Sequence, residues 1–462
     1  MKLTKALLLS ALALFVAVTG CTVGPKYKQP VVAAPHIHEA EGTAVAETAV
    51  APEWWKMFDD PVLDTLITKT LAANHDIRIA QARLLQARAI FAEDKFDRYP
   101  TVRSGVSYQR QDEIIPGFTT SRVGINTFNT GFDAAWEVDI FGGVRHQIVA
   151  ASDQAESFEA NVRDVQVSVV AELARNYFEM RGAQWRLDVA NRSLENQRET
   201  LKLTELRRDA GVGEELDVAS AAARVAATEA TLPQIEANIH TAQNRLAVLT
   251  GVRPGELNAD LSPHAYSPIA KAIPIGSPSE MLQRRPDVSS AERRLAASTE
   301  LEGLAISNLF PKVSVSGFLG FLAGRGNVFL RPDSGAWSIA PGISWPAFDF
   351  GRVRAQVRGA KASTQEALAV YEKTVLQALE DTENAIVVFR TTQERLLKLD
   401  DQARESKRAA DIARLRYREG VIDFLQLLDA ERTQLQAEDA VAIAESESYV
   451  AVVALNKALG GL

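Results

Sequence analysis

The sequence predicts an α+β membrane protein built as an internal tandem duplication, and three observations carry that reading. Motifs recur at a nearly constant spacing, four segments alternate apolar and polar residues at barrel-strand length, and two proline-free stretches far exceed an ordinary helix. The composition narrows the class. The 462 residues are 46% hydrophobic and 24% charged, with 51 Lys+Arg against 59 Asp+Glu and a net charge of −8. An acidic balance argues against nucleic acid as the main partner, because phosphate binding needs a basic footprint. The chain's one cysteine, Cys21, rules out an internal disulfide framework and a cysteine-rich metal site.

The chain opens with Lys2 and Lys5, followed by an apolar run from Ala6 to Val18 interrupted by Ser10. This is a signal peptide over residues 1–20, too short for a permanent span. Val18-Thr19-Gly20-Cys21 resembles a bacterial lipobox, which implies cleavage before Cys21 and its acylation. Thr22, in place of an aspartate, implies sorting to the outer membrane. The alternative is an ordinary secretory signal with a chance cysteine. After residue 20 no stretch approaches the ~20 apolar residues of a spanning helix, so strands must do any spanning.

The duplication is read from three motif pairs. Tyr99-Pro100-Thr101-Val102 recurs as Phe310-Pro311-Lys312-Val313, with the prolines 211 apart. Asp139-Ile140-Phe141-Gly142 recurs as Asp349-Phe350-Gly351, with Gly142 and Gly351 209 apart. Leu206 to Val212 recurs as Leu415 to Val421, with Gly211 and Gly420 again 209 apart. The expected division is a lipidated extended segment over 21–60, a first repeat over 61–260, a linker over 261–278 and a second repeat over 279–462.

Each repeat follows one plan. A helix starts after Asp60-Pro61, and another after Ser277-Pro278 with Glu280 completing a capping box. Apolar positions from Leu63 to Phe91 keep one helical stride. Alternation then takes over, at Val102 to Tyr108, Thr130 to Ile140, Val313 to Ser316 and Trp337 to Trp345. Strands of ~9–11 residues with one apolar face fit an outer-membrane barrel, although a half-buried sheet in a soluble domain shares the pattern. Trp136, Trp337 and Trp345 are expected on the lipid or girdle side, and Asp133, Glu137 and Asp139 toward the lumen. Four strands cannot close a barrel, and lipid does not tolerate open edges, so several protomers must pool their strands.

Long helices follow. Residues 144–209 and 352–419 contain no proline, which at 1.5 Å per residue allows runs of roughly 100 Å. Gly211 and Gly420 should turn each into a returning helix, about 214–249 and 421–459, with a kink or break at Pro233. A bundle of ordinary coiled coils shares these features.

At this point the residues resemble a known family. Trp54-Trp55 before Phe58-Asp59-Asp60-Pro61-Val62-Leu63, Arg284-Arg285-Pro286-Asp287-Val288, Ala291-Glu292 and Phe310-Pro311 match TolC-type outer-membrane efflux factors, in their OprM/NodT lipoprotein branch. Tyr417-Arg418-Glu419-Gly420, Leu425, Leu428, Asp429-Ala430 and Arg432 also match, and the likeness covers residues 21–462. It implies a TolC-like homotrimer with a 12-stranded β-barrel, a periplasmic α-helical barrel and an equatorial domain. The implied role is the passive exit duct of a tripartite pump for small toxic compounds. Its partners would be a periplasmic adaptor, an inner-membrane transporter of the resistance-nodulation-division type, and outer-membrane lipid, with no cofactor and no covalent chemistry.

The resemblance also implies that Leu425 and Asp429 form the periplasmic gate. They lie four apart, on one face of the returning helix. Their counterparts in the first repeat are Leu216 and Ser220, so only the second hairpin carries the acidic ring, with Arg418 or Arg432 expected to offset its charge. From the residues alone a core leucine and a solvated aspartate remain possible. His36 and His38 form an HxH pair without further ligands at metal-site spacing, and His75, His146, His240 and His264 are isolated in sequence. Gly324 to Asn327 reads as a surface loop. Two other functions stay open: a duct for secreted proteins or peptides, and a pore-less periplasmic lipoprotein of coiled coils.

Overall fold

The computed structural model describes residues 22–30, 37–38, 45–46, 51–114, 116–117, 120–267 and 273–461. Cys21, His36 and the signal peptide lie outside the described residues. By compactness the chain divides into one unit of residues 1–31, 83–159 and 290–372 and another of 32–82, 160–289 and 373–462.

The elements follow in repeating order. A two-residue strand β1 (Val45–Ala46) and a short 3-10 turn at Trp54–Phe58 lead to helix α1 (Pro61–Ala73). Asp60 caps α1, accepting from the Val62 and Leu63 amides at 2.9 and 3.1 Å, and Pro61 takes the first helical position. The single stride expected through residue 91 is in fact two helices, because α2 (His75–Phe96) restarts after Asn74. Buried Asn74 accepts from the Asp76 and Ile77 amides and donates to the Leu249 carbonyl at 2.9 Å. An asparagine that caps the next helix outweighs hydrophobic stride.

Strands β2 (Thr101–Glu113) and β3 (Val123–Val138) come next, followed by α3 (Gly143–Asp209), α4 (Glu215–Glu229) and α5 (Leu232–Leu249). The break expected at Pro233 falls between α4 and α5, with Pro233 in the first turn of α5. The second repeat contains β4 (Ile273–Pro274), α6 (Pro278–Arg284), α7 (Pro286–Ser307), β5 (Lys312–Ala323), β6 (Gly335–Ser344), α8 (Arg352–Arg418) and α9 (Phe424–Ala458). Ser277 and Glu280 make the expected capping box. Both α3 and α8 are 67 residues long.

In the first unit the strands form one antiparallel sheet in the order β2-β3-β5-β6. Its register settles the faces. Ser104, Phe132, Leu319 and Trp337 share one row, and Val102, Ala134, Gly317 and Ile339 another, so the apolar set lies together. Arg103, Asp133, Phe318 and Ser338 share a row on the opposite face, as do Glu137 and Ser314. Lys312 reaches Glu137 at 3.4 Å on that face. Among the described residues, β2 and β6 have one free edge each.

Asp139 corrects the expectation of a lumen residue. It lies beyond β3 and its carboxylate accepts from the Val144 and Arg145 amides at 3.2 and 2.9 Å, holding the start of α3. Asp349 repeats the arrangement at the start of α8, accepting from the Gly351 and Val353 amides at 3.0 and 2.6 Å. Those amides hold its carboxyl below the usual range. The indoles repeat as well. Trp136 donates to the Arg98 carbonyl and Trp345 to the Leu309 carbonyl, each at 3.0 Å, where a helix passes into a strand. An indole with its apolar body outward and its N–H satisfied suits a membrane interface.

The second unit has an aromatic core. Trp54, Trp55, Tyr177, Phe178 and Tyr449 are buried together, with Phe178 and Tyr449 stacked at 4.5 Å. Tyr177 donates to Asp60 at 2.5 Å and receives Arg181 at 2.7 Å. Burial pushes the Tyr177 hydroxyl up, and that of Tyr449 up to about 12. Arg285 has a structural role. Its guanidinium is buried, bonding Asp287 at 2.6 Å, Asp381 at 3.1 Å and the Ala458 carbonyl at 3.0 Å.

Candidate functional site: the hairpin tips

The two helical hairpins end in the same backbone turn. Gly211 and Gly420 adopt φ of 76° and 77°, a conformation costly for other residues. The Val212 amide reaches back to the Arg207 carbonyl at 3.0 Å, and the Val421 amide to the Arg416 carbonyl at 2.8 Å. This is a glycine-ended helix stop, formed twice. Beyond the second, Asp423 caps α9 by accepting from the Gln426 amide at 2.9 Å.

Tertiary contacts then distinguish the tips. Ala221, Ala413, Tyr417, Phe424 and Leu427 form a small buried cluster. Arg207 lies over the Tyr417 ring, 4.7 Å from its centroid, and donates to the Tyr417 carbonyl at 2.7 Å. Burial raises the Tyr417 hydroxyl's pKa, against the lowering effect of Arg207. Deeper in, buried Glu431 accepts from Thr200 at 3.0 Å and from Arg414 at 2.9 Å, and Arg414 also reaches Gln434 at 2.8 Å. One carboxylate thus joins α3, α8 and α9.

Leu425 is not a core residue: it is 66% exposed, while neighbouring Phe424 and Leu427 are buried. Asp429 is exposed one turn further on, and Arg432 donates to it at 2.6 Å. Of the two arginines expected to offset its charge, Arg432 is the one in contact. Leu216, the first-repeat counterpart of Leu425, is also 66% exposed. The sequence reading missed Arg207, Arg414 and Glu431. Arg207 and Tyr417 were visible as repeat motifs, but their pairing across repeats follows from no periodicity.

Among the described residues no group of His, Cys, Asp and Glu has the arrangement of a metal site. His146 is not isolated in space. Its ring is buried, with Nδ1 2.6 Å from Glu300 and Nε2 2.8 Å from the Val23 carbonyl. Among the described residues no helix is long and apolar enough to cross a membrane.

A duplicated chain with four apolar-faced strands, free sheet edges and glycine-turned long hairpins defines a subunit of a barrel-and-tunnel channel. The chain belongs to the outer membrane efflux protein family, whose model matches residues 66–252 and 277–461. It is 30% identical to the toluene efflux pump outer membrane protein TtgC of Pseudomonas putida, over 99% of this chain and 96% of that one. It is likewise 30% identical to outer membrane protein OprJ of Pseudomonas aeruginosa, over 98% and 95%. The solved outer-membrane channel OprN is similar at 49% identity, with a TM-score of 0.93 over 96% of this chain and 99% of that one. The protein is therefore an outer-membrane exit duct of an efflux pump. As a TolC-like trimer it closes a twelve-stranded barrel from three four-stranded sheets.

Proposed function

We propose that the duct conducts small toxic compounds passively and is gated at its periplasmic end by Leu425 and Asp429. The observation that carries the gate is the pair itself: a leucine and a carboxylate exposed one turn apart, just beyond the Gly420 turn. Repeated threefold, the leucines supply an apolar constriction and the aspartates an acidic ring. Two carboxylates ~6 Å apart repel by about 1 kcal/mol even in water-like surroundings. Arg432 beside each Asp429 offsets that repulsion, and the Arg207–Tyr417 contact holds each tip in place.

The remaining parts of the reading rest on the family. A periplasmic adaptor meets the duct, and an inner-membrane transporter of the resistance-nodulation-division type supplies the energy. Cys21 is acylated and anchors the mature chain, and the protein itself makes no covalent chemistry. Its relatives include outer membrane proteins of toluene, solvent and antibiotic efflux pumps, and a small-compound cargo for this chain follows that pattern. The test of the gate is conductance in planar bilayers. Leu425→Ala with Asp429→Ala should raise unitary conductance several-fold over wild type. Conductance as low as wild type would place the gate elsewhere.

A further inference from the structure

Phe318 breaks the alternation of its strand. On the lumen face of β5 it stands among Lys312, Ser314, Ser316 and Gly320, with Leu322 nearer the strand end, in the row that also holds Arg103, Asp133 and Ser338. Two glycines account for its placement. Gly131 and Gly320 oppose each other across β3 and β5. A Cβ on Gly131 would stand 2.5 Å from the Leu319 carbonyl oxygen, and one on Gly320 still closer to that of Thr130. No side chain fits at either position. The same two points lie 2.8 and 2.9 Å from Cε2 and Cζ of Phe318. The ring therefore leans along the wall and takes the space that the glycines leave. It is half-buried, so part of it stays open to the lumen.

Across the register from Phe318 stands Asp133. An aromatic ring draws cations to its face and planar rings by stacking, and an adjacent carboxylate adds to the first attraction. Arg103, on the other side of Asp133, limits the carboxylate's pull on simple cations and leaves discrimination to the ring. We propose that Phe318 and Asp133 form, three times around the barrel, a weak sub-site in the exit lumen for planar aromatic cations. The proposal rests on the duct reading and deepens it. A ring fixed against the wall gives such cargo a contact without narrowing the pore.

The test is binding of ethidium, a planar aromatic cation, to the purified trimer in lipid nanodiscs, read by fluorescence anisotropy. Phe318→Leu should weaken binding by roughly 3- to 10-fold, while Phe318→Tyr keeps it. Phe132→Leu, on the lipid face, should leave it unchanged. Wild-type affinity in Phe318→Leu, or an equal loss in Phe132→Leu, overturns the sub-site. Should Phe318→Leu fail to assemble, Phe318→Met decides: weakened ethidium binding supports the proposal and unchanged binding sinks it. The duct reading fails separately, by trimers carrying Leu425→Ala and Asp429→Ala that pass no current in planar bilayers.

Discussion

Arg207 of the first repeat and Tyr417 of the second are joined twice, by a guanidinium 4.7 Å over the ring and by a 2.7 Å bond to the backbone carbonyl. The two hairpin tips are thereby tied to each other within one protomer. Each contact is modest: a cation over a ring is worth about 0.5–2 kcal/mol and a hydrogen bond from a charged donor about 1.5–3. A clasp of that size can be undone by a single substitution.

Arg207→Ala should therefore raise the channel's open probability. Tyr417→Ala should do so to a smaller degree, since it removes the ring but keeps the backbone carbonyl, and the double variant should open little more than Arg207→Ala alone. Single-channel recording in planar bilayers measures this. Fully additive effects would mean that the two residues act independently.

The two faces of the sheet should respond oppositely to charge. Phe132→Arg or Ile339→Arg on the apolar face should cost about 2–4 kcal/mol near the bilayer midplane. Glu137→Gln on the lumen face should cost well under 1 kcal/mol, since its partner Lys312 is a half-exposed neighbour at 3.4 Å. Trp136→Arg should fall between, because Trp136 stands at the strand end with its indole bonded to Arg98. Denaturant unfolding from lipid vesicles orders the three classes.

Arg285→Ala should destabilise the second unit by about 3 kcal/mol, by stranding Asp287 and the Ala458 carbonyl in a largely buried place. Arg285→Lys should recover only part of the loss, since an ammonium cannot span both carboxylates and the carbonyl. Thermal unfolding of the detergent-solubilised trimer is the measurement.

Glu445 gives a pH dependence. Burial, with help from Asp400, pushes its carboxyl up to about 7. The folded state thus holds its proton more tightly than the unfolded chain, so this group favours folding below the ordinary glutamate range. Its contribution fades as pH rises from about 4.5 to about 7. Hydrogen-exchange protection in α9, corrected for the intrinsic pH dependence of exchange, should fall over that window, and Glu445→Gln should remove the fall. A window unchanged in Glu445→Gln would assign it to another group.

Local signals fixed much of this protein before any packing was known. The spacing of Pro100 to Pro311 and Gly211 to Gly420 revealed the duplication, because equal backbone turns need equal residues. Alternation placed Phe132 and Trp136 opposite Asp133 and Glu137, since a strand's side chains have a period of two. Those rules act within a few residues and so can be read from a single chain. Only tertiary structure decided the rest. Asn74, besides capping the next helix, donates to the Leu249 carbonyl 175 residues further on. Arg207 finds Tyr417, and Phe318 covers Gly131, across separations that no periodicity encodes. Such contacts depend on how distant segments fit together in space, which short-range propensities leave open.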